Sequence, residues 1–347
     1  MVKKIQNKNF RNIFNALLLI LVTGLVLYFS LKDNFFTIVH ELLTLNLFWV
    51  LVAILVFVAS IIVRSYSMYF MVKKYRPEYT IRQANRLLLT TQFFNAVTPF
   101  ATGGQPFQVY TLKKDGVRIA DGTSIVVQNF IVYQIALVLL GILAVGSNYF
   151  FHIFKANVLL QSLTTIGFLM NTFVAIALLM IMFAKKFNDK VIRFLLNLIG
   201  KLHFISEEKK EQLREKLENT THRLAHGGKR LLQDKRMFLS TIALNFIGLT
   251  LLYLVPLFVL FAMGDYTSVN PFVCIASSAY VMLIGAFVPI PGGTGGLEYS
   301  YVEFFGNFIS GSKLQASMLV WRFVTYYFGM ILGAIALQVK TKGRKES

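Results

Sequence analysis

Apolar runs long enough to cross a bilayer alternate with short blocks of lysine and arginine, and this pattern leaves the chain few folds to adopt. The first run, 13–31, follows a basic start of Lys3, Lys4, Lys8 and Arg11, and the second, 47–72, ends on Lys73, Lys74 and Arg76. Further runs cover about 123–145, 165–183, 238–263 and 316–337. Inside hydrocarbon every backbone N–H and C=O must be satisfied within the segment, so these runs are predicted to be helices. A mean hydropathy of +0.61 excludes an ordinary soluble domain and leaves no stretch for a soluble catalytic module. The run 13–31 is too long for a cleavable signal's apolar core and has no small-residue cleavage site after it, so it is expected to be the first membrane helix.

Charge then orients the spans. The net charge of +19 would suggest nucleic acid in a soluble protein, but here it reads as the positive-inside bias plus contact with anionic headgroups. No nucleic-acid partner is expected. Basic blocks at 73–86, 113–118, 185–236 and 340–345 are assigned to the cytoplasm. Lys32, Lys155 and Lys313 fall outside, and Arg64 and Arg322 fall within spans. The chain divides into a basic cytoplasmic start (1–12), a membrane domain (13–338) and a basic cytoplasmic tail (339–347), with both termini inside a bacterial cell membrane. The loop 32–46, with Lys32 against Asp33 and Glu41, fits the external side. Asn219-Thr220-Thr221 matches a glycosylation acceptor but lies in a cytoplasmic block.

This assignment creates a conflict at 87–112, which is basic on both flanks yet apolar at Leu87-Leu88-Leu89 and Phe93-Phe94. Its middle, from Asn95 through Pro99, Gly103, Gly104, Gln105 and Pro106, cannot remain one helix. A re-entrant hairpin that dips in from the cytoplasm resolves the conflict, provided that protein or a wet cavity satisfies the broken backbone. The same logic applies to 272–309, which must begin and end outside and is broken at Pro289-Ile290-Pro291-Gly292-Gly293-Thr294-Gly295-Gly296. The expected fold is therefore an all-α polytopic membrane protein of six full spans and two Pro/Gly-broken hairpins. Eight full spans would place 113–118 outside. Asn95-Ala96-Val97-Thr98-Pro99 beside Gly285-Ala286-Phe287-Val288-Pro289 suggests an inverted repeat with a midplane site, although so short a match also arises by chance.

A broken membrane helix exposes N–H groups at the start of its second half, where partial positive charge can hold a phosphate. Gly292, Gly293, Gly295 and Gly296 before a helix predicted over 297–308 suit such a cradle; the alternative is a tight turn that lets helices pack. No Lys-Ser/Thr pair follows, so this is not a nucleotide loop. Ionisable groups at membrane depth face a partner or a cavity. Glu298, with Glu303 beyond it, and Arg322 near the start of the last span are placed in the outer half, either as a structural ion pair or as a headgroup site. Arg64 either joins that chemistry or snorkels to the cytoplasmic interface. Gln92, Asn95, Gln105 and Gln108, with Gln128, Asn129 and Gln134, either satisfy the broken backbone or wet a path.

No metal site, cofactor or catalytic constellation is expected. His40, His152, His203, His222 and His226 are scattered over loops and surfaces, and Cys274 reads as packing. Lys190, Arg193, Asn197 and Lys201 oppose Phe194, Leu195, Leu198 and Leu202, a pattern that lies on the inner leaflet. Ser206 is predicted to cap a further helix.

Pro289-x-Pro291-Gly292-Gly293-x-Gly295-x-x-Glu298, with Pro99 and Gly103-Gly104-Gln105-Pro106, resembles the lysylphosphatidylglycerol synthase transmembrane-region family over roughly 10–338. Many relatives carry an acid where Gln105 stands here. The best-known members are the flippase-like membrane halves of bacterial multiple peptide resistance factors, in which a cytosolic domain transfers lysine from tRNA to phosphatidylglycerol. The resemblance implies a lipid translocase acting on phospholipid or aminoacyl-phospholipid, with the breaks, Glu298 and Arg322 holding the headgroup. With only a short tail after Leu337, lysyl transfer is expected to need a separate lipid-modifying enzyme as partner. A small-solute carrier is the other alternative, and an oligomer is compatible with either.

Overall fold

The computed structural model describes residues 35–154, 158–183, 208, 211–212, 227–228, 231–285, 288 and 290–339. The expected first span 13–31, the amphipathic face of Lys190, Arg193, Asn197 and Lys201, the Ser206 cap, His203, His222, His226, Pro289 and the tail 340–347 lie outside them.

The described chain is helical throughout. α1 is Phe35–Leu43, α2 Leu47–Lys73, α3 Ile81–Ala96, α4 Gly104–Lys114, α5 Ile119–Phe151, α6 Val158–Phe183 and α7 Lys235–Ala262. α8 is Pro271–Gly285, α9 Gly296–Phe305, α10 Gly311–Arg322 and α11 Phe328–Gln338, the last two joined by a π turn at Phe323–Tyr327. Among the described residues, five helices are long and apolar enough to cross a membrane: Leu47–Lys73, Ile119–Phe151, Ser162–Met180, Lys235–Ala262 and the continuous Gly311–Gln338. α3, α4, α8 and α9, at 16, 11, 15 and 10 residues, are too short to do so, as hairpin arms should be.

Two sequence readings are corrected. The loop 32–46 contains α1, because Ile38 is fully buried and Ser312 Oγ at the start of α10 donates to Glu41 Oε1 at 3.4 Å. The span 123–145 extends to Ile119–Phe151, a helix of 33 residues and about 50 Å that must project beyond a hydrocarbon core of about 30 Å.

Contacts at the helix ends define two faces. Asn46 N at the start of α2 donates to Ala262 O at the end of α7 at 2.8 Å. At the other face Lys74, just after α2, pairs with Asp234, the residue that caps α7. α3 follows α2 at this second, basic face, where Arg86 Nε near the start of α3 donates to Ala336 O near the end of α11 at 3.2 Å. α8 follows α7 at the opposite face, and α9 leads there into α10 beside α1. α3 packs on α4, α8 packs on α9, and the turns of the two pairs touch each other. The two hairpins therefore enter from opposite faces and meet between them.

α2 and α7 share the most extensive contact among the described helices, and small residues line it. Ser60 and Ser67 are fully buried, and a Cβ added to Gly248 would overlap the Arg64 side chain and lie 3.0 Å from Ser60 O. Asn245 Nδ2 donates to Ser67 Oγ, which donates to Asn129 Oδ1 of α5, each at 3.0 Å, so one polar chain ties α7, α2 and α5 together. The Tyr253 carbonyl, close before Pro256 in α7, accepts from Ser278 Oγ at 2.8 Å and Cys274 Sγ at 3.3 Å. Gly248→Ala is expected to destabilise the fold by about 1–3 kcal/mol through overpacking at the α2–α7 contact, read as a lower melting temperature in detergent.

Candidate functional site: the meeting hairpin tips

In the first hairpin, the local polar side chains satisfy the broken backbone. α3 ends at Ala96, three residues before Pro99, which cannot supply an N–H. Thr98 Oγ1 accepts from Gly103 N at 2.9 Å and donates to Phe94 O at 2.7 Å, while Asn95 Oδ1 accepts from Gly104 N at 3.0 Å. Asn95, read as satisfying the broken backbone or wetting a path, thus holds the first N–H of α4 in place. Pro106 in the first turn of α4 has no N–H to offer, which suits that position. Gln108 Nε2 donates to Thr91 Oγ1 at 3.1 Å and Phe94 stacks on Phe107 at 4.0 Å, bracing the two arms. Gln105 is half-buried and makes no side-chain hydrogen bond among the described residues. Phe100 and Ala101 adopt left-handed backbone (φ 53° and 51°), a sparsely populated state for non-glycine residues, and Phe100 is 56% exposed at the tip.

Glycine performs the corresponding turn in the second hairpin. Gly292, Gly293 and Gly295 have φ of 67°, 64° and 89°, conformations that L side chains rarely take. Pro291 is buried, and Thr294 Oγ1 donates to its carbonyl at 2.9 Å. α9 starts at Gly296, one residue before the predicted 297, and ends at Phe305 rather than 308. Its first turn is capped by Glu298, whose Oε2 accepts from Gly295 N at 2.7 Å.

Arg322 joins this turn from the last span. It is not near the start of that span, as expected, but about 16 Å along it from Gly311. Its Nε lies 2.6 Å from Glu298 Oε1, without the alignment of a hydrogen bond, and its Nη2 donates to Gly292 O at 3.0 Å. The guanidinium centre lies 4.6 Å from the Tyr326 ring centroid. Glu298 and Arg322 are 8% and 5% exposed, so both charges are buried and neutralise each other. Of the two arrangements weighed from sequence, the ion pair is present.

Tyr326 links the two tips, and sequence reasoning missed it. Its hydroxyl donates to Ala96 O, at the end of α3, at 3.1 Å, and its ring lies against Gly292 where a Cβ would stand. The π turn begins directly after Arg322, and such turns re-aim side chains. A signal did exist: Tyr326 stands four residues after Arg322, on the same helical face within an apolar span.

Arg64 takes no part in this cluster. Its Nε donates back to Ser60 O at 3.2 Å, toward the face opposite the basic one, so it does not snorkel to the basic interface. It packs against Gly248 with Tyr133 and Tyr253 nearby. Gln128 Nε2 is spent on Ser124 Oγ at 2.9 Å, and Asn129 on the α2–α5–α7 chain. At the basic mouth of the first hairpin Asp115 is 8% exposed, and burial pushes its carboxyl above the usual range against the pull of Arg86 and Arg76.

The arrangement holds a neutral ion pair and several satisfied helix starts at the junction of two opposed hairpins. An anionic group could compete with Glu298 for Arg322 and the Gly295 N–H; a cationic one could compete with Arg322 for Glu298. A comparison with curated proteins finds no match. The family model for the lysylphosphatidylglycerol synthase TM region matches residues 15–333, nearly the whole chain and both hairpins, and the chain belongs to that family.

Proposed function

We propose that the chain is a lipid translocase that carries a phospholipid or aminoacyl-phospholipid headgroup between leaflets of the bacterial cell membrane. The observation that supports it most is the meeting of two broken hairpins from opposite faces around the buried Glu298–Arg322 pair. A carrier needs one polar station reachable in turn from each side, and opposed hairpins form such a station when one half rocks against the other. The exposed, left-handed Phe100 at the first tip suits a lateral opening through which acyl chains stay in the bilayer. A closed solute pocket would not need one. By the positive-inside rule the basic face is cytoplasmic, and both termini lie there.

Purified protein in liposomes tests the reading. Fluorescent phosphatidylglycerol and lysylphosphatidylglycerol in the inner leaflet are expected to become accessible to an external quencher faster than in protein-free vesicles. No acceleration for any lipid would refute translocation, and lysyl transfer from charged tRNA by this chain alone would make it an enzyme instead.

A further inference from the structure

Arg64 is a charge that the hairpin tips leave unused. It stands within α2 about 14 Å in from the basic end of that helix, at a depth where a guanidinium keeps its proton and needs a counter-charge. Its Nε donates to Ser60 O, and no carboxylate among the described residues pairs with it. The groups that act on it are two phenols, Tyr133 of α5 and Tyr253 of α7, and Tyr253 also feels Tyr133. Neither hydroxyl has a hydrogen-bond partner among the described residues, although Tyr253 is only 3% exposed. Gly248 fixes the arrangement, because the Arg64 stem lies against it where a Cβ would stand. An arginine held only by helix carbonyls would account for the bond to Ser60 O. It would not account for two unpartnered phenols gathered around the same cation.

Polar groups on the same three helices connect this cluster to the basic face. A cavity of about 670 Å³ lies there, with Met71 of α2, Gln128 of α5 and Met237 of α7 in its lining. Further in, Ser67, Asn129 and Asn245 form the hydrogen-bonded chain that ties the helices together. Arg64 and Tyr133 follow about one turn deeper on α2 and α5. The mouth of the series is cationic. Lys74, Lys235 and Arg236 border it, and its one acid, Asp234, is engaged by Lys74 and by the Met237 N–H. Such a mouth raises the local concentration of anions.

We propose that Arg64, Tyr133 and Tyr253 bind a small monovalent inorganic anion, such as chloride, that enters from the basic face. The guanidinium supplies the counter-charge and each phenol donates its proton to the anion. The ion is compact because the helices are close: a Cβ on Gly248 would already lie 3.0 Å from Ser60 O. The site does not depend on lipid translocation, and binding is read without any transfer between leaflets.

The test uses the purified full chain in a neutral detergent and sodium gluconate, titrated with chloride at constant ionic strength. Binding is read from the chloride NMR line width and from the melting temperature. Wild type is expected to give saturable broadening, reversed by bromide, and to melt higher in chloride than in gluconate. Tyr133→Phe/Tyr253→Phe keeps both rings and the cation, and is expected to weaken chloride by about tenfold or more. Arg64→Gln should abolish the saturable broadening. Lys235→Gln/Arg236→Gln alters only exposed charges at the mouth and should change affinity less than about threefold. A folded wild type without saturable broadening would overturn the site, as would broadening that persists in Arg64→Gln. Equal loss in the tyrosine and the Lys235/Arg236 variants would move binding to the mouth and overturn it too. Displacement of chloride by an equal concentration of short-chain phosphatidylglycerol would overturn the assignment to an inorganic ion.

Discussion

Arg322→Ala is expected to lower stability by about 3–5 kcal/mol, because it leaves the Glu298 carboxylate buried without its counter-charge. The carboxylate keeps only the Gly295 N–H, and Gly292 O loses its donor. Glu298→Gln should cost less. Its amide oxygen can still accept from Gly295 N, and Arg322 keeps Gly292 O and the Tyr326 ring. Glu298→Gln/Arg322→Met removes both charges together and should recover much of the loss, since a buried ion pair is often replaced by apolar groups at little net cost. Melting of the two single variants and the double variant in detergent forms the cycle that measures the coupling. Equal melting of Arg322→Ala and wild type would mean that the pair is open to water.

Gly292→Ala is the second large effect expected. Two separate costs add: about 1–2 kcal/mol for a Cβ at φ 67°, and about 1–3 kcal/mol for pressing that Cβ into the Tyr326 ring. Tyr326→Phe alone should cost only about 1 kcal/mol, the loss of one hydrogen bond to Ala96 O. Combining Gly292→Ala with Tyr326→Leu should return the steric part and leave the backbone part. If the combined variant is no more stable than Gly292→Ala, the ring is not what fills the space beside Gly292.

The hairpins were legible in the sequence because charge and breaks disagreed with a simple alternation of spans. Basic residues on both sides of 87–112 required a return to the same face, and Pro99 with Gly103 and Gly104 supplied the point of return. Glu298 and Arg322 were legible as residues for a related reason, since few charges interrupt the apolar runs. Their partners were less so. Asn95 was left between backbone support and a wet path, and it serves the Gly104 N–H, a choice settled by the turn that Thr98 and Phe100 take. Tyr326 reaches Ala96 across 230 residues of sequence, and the π turn that aims it has no local composition that announces it. Arg64 was ambiguous because reach alone permits either direction along the helix; the Ser60 carbonyl and the space over Gly248 decide it. Helix α1 was hidden in a loop whose charge balance said only which side it lies on.

The central claim is that opposed hairpin tips pass a lipid headgroup across the Glu298–Arg322 junction. Its most direct measurement is the leaflet-transfer rate of labelled phosphatidylglycerol and lysylphosphatidylglycerol in proteoliposomes, for wild type and Glu298→Gln/Arg322→Met at matched protein density. The account predicts transfer by wild type and at least about a tenfold slower rate for the variant, the loss of one charge-assisted contact or more. Equal rates for the two proteins, or a wild type no faster than empty vesicles, would contradict it.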